Sequence, residues 1–210
     1  MKTLIQDLHL YELVLLFLGV ALFFILIFAL IYYILKHQEI KKLLYFFPVP
    51  IIMIAYPSIQ EINISKDKLA LTKYQQEVEN NPNDTIARQQ LEGLSEKLEK
   101  RASTPEDILK ISKAQLVLGN SQKAIYYANK ATEVEKERAA QKPNKQTVAA
   151  TTAYANELKS LAKIQEQYKA GVDTSIINAK IKNMNIDPRL FKKREFIKLN
   201  QSYINRKTSN

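Results

Sequence analysis

Residues 104–134 read TPEDILKISKAQLVLGNSQKAIYYANKATEV, and this stretch carries the signals that decide the fold. Thr104 supplies a capping hydroxyl, Pro105 suits the first position of a helix, and two acidic residues follow in the first turn. Gly119 can adopt the left-handed conformation that ends a helix. Alanines recur at helical spacing beyond this glycine. The stretch therefore predicts two helices that meet at Gly119 and pack closely.

Similar signals bracket further helices on both sides of this stretch. Ser65, Asp84 and Asp173 can each cap a helix N-terminus, and Asp187-Pro188 predicts the start of a last helix. Breaks fall at residues 80–84, at residues 142–145 and at Gly171. Helices in short-loop succession with many alanines predict an all-α fold of stacked antiparallel pairs.

The stretch at residues 104–134 resembles a tetratricopeptide repeat. Small and apolar residues stand at the positions that the family uses: Thr104-Pro105, Ile108, Ile111, Ser112, Gly119, Ala124, Ile125, Ala128 and Ala131. Residues 66–84 resemble the second half of another repeat. Gln115 and Ser121 replace aromatic residues of the pattern, and Lys136 replaces its proline. The resemblance implies a stack of helix pairs like that of tetratricopeptide repeats, and a generic helical bundle is the alternative.

The resemblance also implies roles for individual residues. Six residues would pack the repeats closely, namely Ala70, Pro82, Ser112, Gly119, Ala124 and Ala131. A concave groove between the first helices of the pairs would receive a peptide or a helix of a partner protein. Partner binding is therefore predicted at Leu91, Ile108, Ile111 and Gln115. The alternative is that these inward residues belong to the core.

Residues 13–35 form a long apolar run without a charged residue. As a helix the run measures about 34 Å, which covers a hydrocarbon core of ~30 Å. Asp7 and Glu12 precede it and Lys36 follows it, a pattern that argues against a cleaved signal peptide. The run predicts a transmembrane helix.

Residues 43–59 are a second apolar run, which makes about 25 Å of helix and contains three prolines. Spanning is favoured over an interfacial position, giving a two-helix hairpin. Lys36, Lys41 and Lys42 place the linker between the runs in the cytoplasm of a bacterium, with the protein in the inner membrane. The large domain is then periplasmic if residues 43–59 span and cytoplasmic if they do not.

The predicted organisation has four parts. Residues 1–59 are a membrane anchor, residues 60–65 an extended connector, residues 66–186 a helical domain like that of tetratricopeptide repeats, and residues 187–210 a basic amphipathic helix and tail.

Composition argues against catalysis. The chain has no cysteine and four glycines, and its histidines are His9 and His37, beside the first apolar run. Acidic residues recur four apart at Glu92 and Glu96 and at Glu133 and Glu137, but basic neighbours make ion-paired, solvated faces the better interpretation. We therefore expect no enzyme activity, no cofactor, no metal site and no small-molecule substrate.

The last predicted helix is basic and amphipathic. Leu190, Ile197 and Ile204 recur every seven residues, in a chain whose net charge is +10. Five basic residues are predicted to contact anionic lipid or an acidic partner, namely Arg189, Lys192, Lys193, Arg194 and Lys198. The alternative is that the apolar stripe caps the helical stack while the charges face water. Nucleic acid is the least favoured partner.

These features together predict a membrane-anchored helical-repeat scaffold or adaptor that mediates protein–protein interaction, with a partner that the sequence does not name. One alternative is a structural subunit of a larger membrane complex, held by its membrane hairpin. Another is a membrane-surface binder that uses the basic C-terminal helix.

Overall fold

The computed structural model describes residues 10–36, 41–141, 145–188 and 190–208. His9, His37, Arg189 and most of the predicted break at residues 142–145 lie outside these ranges. Every regular element within them is a helix: α1 Leu10–Leu35, α2 Lys41–Leu44, α3 Pro48–Asn80, α4 Thr85–Glu99, α5 Pro105–Leu118, α6 Ser121–Gln141, α7 Lys145–Lys169, α8 Thr174–Asn183 and α9 Lys193–Thr208. The all-α class is confirmed for the described residues.

The chain divides into two compact units. We call Met1–Lys66 the N-terminal unit and Asp67–Asn210 the helical unit. Helix α3 contributes its first part to one and its last part to the other.

Helix α1 is long and apolar enough to cross a membrane, and among the described helices it alone meets that test of length and composition. About half of its described side chains are exposed, as Phe28 is at 70%, and few are buried. Large apolar side chains exposed along a whole helix suit lipid rather than water.

Helix α1 packs against the first part of α3. A Cβ atom added to Gly19 would lie 2.9 Å from the Cβ of Met53 and 3.0 Å from Ile54. The rings of Phe23 and Phe47 meet edge to face with centroids 6.2 Å apart. Gly19 permits this close approach because it has no side chain to occupy the space.

The prolines of the second apolar run are accommodated within α3. Pro48 is its first residue, and Pro57 lies inside it. Proline at the first helical position costs no hydrogen bond, whereas an internal proline removes one donor. Pro57 leaves the carbonyl of Met53 without its helical donor. In the same turn, Ser58 Oγ donates to the carbonyl of Ile54 at 3.0 Å.

Two predictions about helix boundaries are wrong. Residues 60–65 do not form an extended connector and Ser65 does not cap a helix, because α3 continues through them. After Pro57 no proline or glycine interrupts the chain before Pro82, so nothing ends the helix. Ile62 is exposed and Ile64 is buried, which fits a helix, because residues two apart share a face in a strand but point to nearly opposite sides of a helix.

The last helix begins at Lys193 rather than at Asp187-Pro188. The Asp187 carbonyl accepts hydrogen bonds from the N–H groups of Leu190 and Phe191, at 2.9 and 3.2 Å, which close a turn. This turn buries the consecutive side chains of Leu190 and Phe191 together. Phe191 and Lys192 lie outside any helix, so this turn does not continue into α9.

The caps of α4, α5 and α8 are confirmed. Asp84 accepts from the N–H of Ala87 at 2.9 Å, and Asp173 accepts from that of Ser175 at 2.8 Å. Thr104 accepts from the N–H of Asp107, with Pro105 at the first helical position. Gly119 ends α5 with a φ of 90°. These local signals depend on neighbouring residues only, so the sequence predicts them well.

Helix α5 is the centre of the helical unit. It packs against α4, α6 and α7, and ten of its 14 residues are buried. Gln75 of α3 donates to the carbonyl of Lys110 at 2.7 Å, which adds a fourth neighbour. A helix buried on this scale is held mainly by apolar contact, at roughly 1.5–3 kcal/mol for each large side chain.

Candidate interaction surface

The four residues predicted to bind a partner lie in the interior. Leu91 is fully buried, Ile108 and Ile111 are each 1% exposed, and Gln115 is 2% exposed. These residues pack in the core, which agrees with the alternative that inward residues of the first helices belong to the core. They do not line an open groove.

Gln115 has a specific internal role. Its Nε2 donates to Ser95 Oγ and to Glu99 Oε1, each at 3.0 Å, and its Oε1 accepts from Asn120 Nδ2 at 2.9 Å. The side chain therefore links α4 and α5 to the turn that follows. Burial, and then the nearby Glu99 carboxylate, raise the pKa of Tyr127 to about 12. Buried amides with complete hydrogen bonding fix the register of neighbouring helices.

A second internal amide joins α5 and α6 to α7. Gln165 Nε2 donates to the carbonyl of Leu116 at 3.0 Å, and its Oε1 accepts from Ser121 Oγ at 2.7 Å. Ser121 replaces an aromatic residue of the repeat pattern, and its structural role is this hydrogen bond to Gln165. Sequence reasoning missed both amides because their partners lie far away in the chain.

The small residues assigned to close packing are mostly buried. Ser112 Oγ donates to the carbonyl of Ala124 at 2.6 Å, so α5 approaches the backbone of α6. Ala124 and Ala131 are fully buried and Pro82 is buried, whereas Ala70 is partly exposed. A larger side chain at Ser112 would separate the two helices.

The C-terminal segment, which we define as residues 187–203, lies across α5 and its neighbours. Its apolar side chains Leu190, Phe191, Phe196 and Leu199 are at most 2% exposed. Lys113 Nζ of α5 lies 4.8 Å from the ring centroid of Phe191, and the Asp187 N–H donates to Glu157 of α7. The segment is thus an integral part of the helical unit.

Tyr203 fixes the far end of this segment. Its hydroxyl donates to the carbonyl of Val117 and accepts from Arg88 Nη1 at 3.1 Å. Arg88 Nη2 also donates to the carbonyl of Leu118 at 3.0 Å, and its guanidinium lies 5.0 Å from the Tyr203 ring centroid. This arrangement satisfies carbonyls that the end of α5 leaves without helical partners.

A polar cavity of about 300 Å³ lies beside the C-terminal segment, lined by Gln76, Glu79, Asn80, Lys113, Pro188, Leu190, Phe191, Lys192 and Glu195. Glu79 and Lys113 form an ion pair at 2.9 Å. Burial raises the pKa of Glu79, and Lys113 opposes that effect. Glu195 and Lys192 line the same cavity and affect the pKa of Glu79 less than Lys113 does, so we interpret the Glu79–Lys113 pair as structural.

The remaining acidic candidates do not converge. Glu92, Glu96, Glu133 and Glu137 are all exposed. Within the described ranges, no group of three or more metal-binding side chains comes together.

The predicted basic contact residues have different surroundings. Lys192 pairs with Glu195 at 3.1 Å, and Lys193 Nζ donates to the carbonyl of Lys182 at 2.8 Å. Arg194 and Lys198 are exposed. Arg189 lies outside the described residues.

No family model, curated protein or solved structure with which the chain was compared matches it. The comparisons therefore add no family, relative or fold neighbour to the geometry, and interpretation rests on the residues themselves.

Proposed function

We propose that the protein is a membrane-anchored, non-catalytic helical scaffold that presents its helical unit to another protein. The observation that carries this proposal is the contrast between the two units. Helix α1 exposes apolar side chains along its length, whereas the helical unit has a closed core. The surface of α1 suits lipid and that of the helical unit suits water, so one chain combines a membrane anchor with a polar module.

In this proposal the helical unit packs like tetratricopeptide repeats between α3 and α6. Two features support it, namely the Ser112–Ala124 contact and the left-handed turn at Gly119. The residues predicted to line the groove of such repeats, among them Leu91 and Ile108, are buried. In this proposal a partner therefore binds an outer face of the helical unit.

We further propose that residues 43–59 span the membrane together with α1. The contact of Gly19 with Met53 supports this hairpin, and so do the exposed apolar side chains of the second run, which include Val49, Ile51, Ile52, Tyr56 and Ile59. We place this anchor, as part of the proposal, in a bacterial inner membrane, where the positive-inside rule would put the helical unit in the periplasm.

A second candidate function is that of a structural subunit held in a larger complex by its membrane helices. The exposed apolar side chains of α1 and α3 favour it, because another membrane protein would cover them as well as lipid does. In that case the helical unit only braces the complex.

An anchor exchange separates the two functions. The full chain, and a chain in which an unrelated hairpin replaces residues 1–59, are isolated from mild detergent extracts under identical conditions. A scaffold keeps its partner after the exchange and loses it when residues 67–210 are deleted. Partners that follow residues 1–59 instead would support the structural subunit and reject the scaffold.

A further inference from the structure

The positive charge of the protein is concentrated in its C-terminal third. Residues 145–210 contain 13 Lys and Arg against five Asp and Glu, which gives +8 of the total of +10. Residues 1–144 contain the remaining 18 basic and 16 acidic residues, which gives +2. The excess charge therefore falls on α7, α8, α9 and their connections.

Part of this charge forms one surface where α8 ends and α9 begins. The bond from Lys193 Nζ to the Lys182 carbonyl holds the two helices together at this point. Arg194 follows at once, and Lys198 lies one helical turn further on the same face. Lys182, Arg194 and Lys198 are exposed, and Lys193 is partly exposed. We call these four residues the basic patch.

The acidic residue of α9, Glu195, has its ion-pair partner outside the basic patch. Glu195 of α9 pairs with Lys192 and lines the cavity that contains Glu79. No ion pair involves Arg194 or Lys198 in the part of the chain that the structure describes. Their charges are therefore available to an external anion.

The burial of the C-terminal segment restricts how this patch can bind. Phe191, Phe196 and Leu199, which would insert into a bilayer if the helix were free, are packed in the core. Contact is thus limited to charged headgroups at the surface, without apolar insertion. Such contact is electrostatic and sensitive to salt.

We propose that the basic patch binds anionic phospholipid headgroups of the membrane that holds α1. This inference rests on the proposed membrane anchoring, which keeps the patch at high local concentration near lipid. Each Lys or Arg near an anionic surface contributes about 1 kcal/mol, or roughly a fivefold change in the bound-to-free ratio. Removal of two charges should therefore weaken headgroup contact by roughly 25-fold.

The test uses the full chain in proteoliposomes. Because the chain has no cysteine, Gln201→Cys gives a single labelling site on the exposed face of α9. Energy transfer from this label to headgroup-labelled lipid is compared between vesicles of phosphatidylcholine alone and vesicles rich in phosphatidylglycerol, at low and high salt. We expect transfer to rise with phosphatidylglycerol and to fall with salt.

The double variant Arg194→Gln/Lys198→Gln should lose this response. The matched control Lys123→Gln/Lys136→Gln removes two exposed charges of α6 and should keep it. Equal transfer in both lipids, or an equal loss in both double variants, would overturn the basic patch as a lipid site. Flotation of the chain with either vesicle at high salt reports anchoring separately, so failure of the anchor is distinguishable from failure of the patch.

Discussion

Substitution of Gly119 by alanine tests whether α9 packs on the turn between α5 and α6. Gly119 has a φ of 90°, and the N–H of Asn120 donates to the Gln115 carbonyl at 2.7 Å, which completes a Schellman turn. An added Cβ would also lie 3.3 Å from the Tyr203 ring. The substitution therefore carries two separable costs.

Each cost can be given a magnitude. The left-handed conformation costs a non-glycine residue about 1–2 kcal/mol. Crowding against the Tyr203 ring adds about 1 kcal/mol, at the low end for overpacking, because the ring has to move by only a few tenths of an ångström. Gly119→Ala should therefore lower the free energy of unfolding by about 2–3 kcal/mol.

A double-mutant cycle separates the two costs. The full chain in mild detergent is unfolded with urea and followed by circular dichroism for Gly119→Ala, Tyr203→Ala and the double variant. In the Tyr203→Ala background the glycine substitution should cost only the conformational share of about 1–2 kcal/mol. Additivity within about 0.5 kcal/mol would refute the packing of Tyr203 on Gly119.

Three further predictions concern the membrane helices and two buried carboxylates. Gly19→Leu should separate α1 from α3 at a cost of about 1–3 kcal/mol and reduce bismaleimide crosslinking between Phe23→Cys and Phe47→Cys severalfold; unchanged crosslinking would contradict the packing. Burial alone would raise the pKa of Asp107, but hydrogen bonds from Lys68 and Thr104 lower it below 3.8. Ionised Asp107 therefore stabilises the folded chain above that pH, and this stabilisation is lost as the pH falls through the lowered pKa. Asp107→Asn should therefore destabilise the protein near neutral pH, with a difference from the wild type that shrinks in acid, as urea midpoints at several pH values would show. Burial raises the pKa of Glu79 above 4.5. The contribution of Glu79 to the free energy of unfolding is therefore greatest below that pH and decreases as the pH rises through the raised pKa. Glu79→Gln should remove this decrease, and an unchanged pH profile of the free energy of unfolding would contradict it.

Local signals made part of the fold predictable. The caps at Asp84, Thr104 and Asp173, and the turn at Gly119, depend on residues within a few positions in sequence. The apolar run of α1 is equally local, because length and composition define it. These features account for the all-α class and for most helix boundaries.

Long-range contacts made the rest unpredictable. Gln115 departs from the repeat pattern, and its structural role is to donate hydrogen bonds to Ser95 and Glu99 of α4. The sequence does not show that these residues lie beside it. The end of the chain is a similar case, because the segment that holds the buried Leu190 and Phe191 is a turn and not the helix that the preceding proline predicted. Tertiary packing overrides local propensity where apolar burial is the larger energy.

The topology of the anchor tests the central claim most directly. Single cysteines introduced by Thr3→Cys, Lys41→Cys and Asn129→Cys are labelled with an impermeant maleimide in sealed membrane vesicles of known orientation. We predict that Thr3→Cys and Asn129→Cys react from one side and Lys41→Cys from the other. Reaction of Thr3→Cys and Lys41→Cys from the same side would show that α1 does not cross the membrane, and would contradict the proposed anchor.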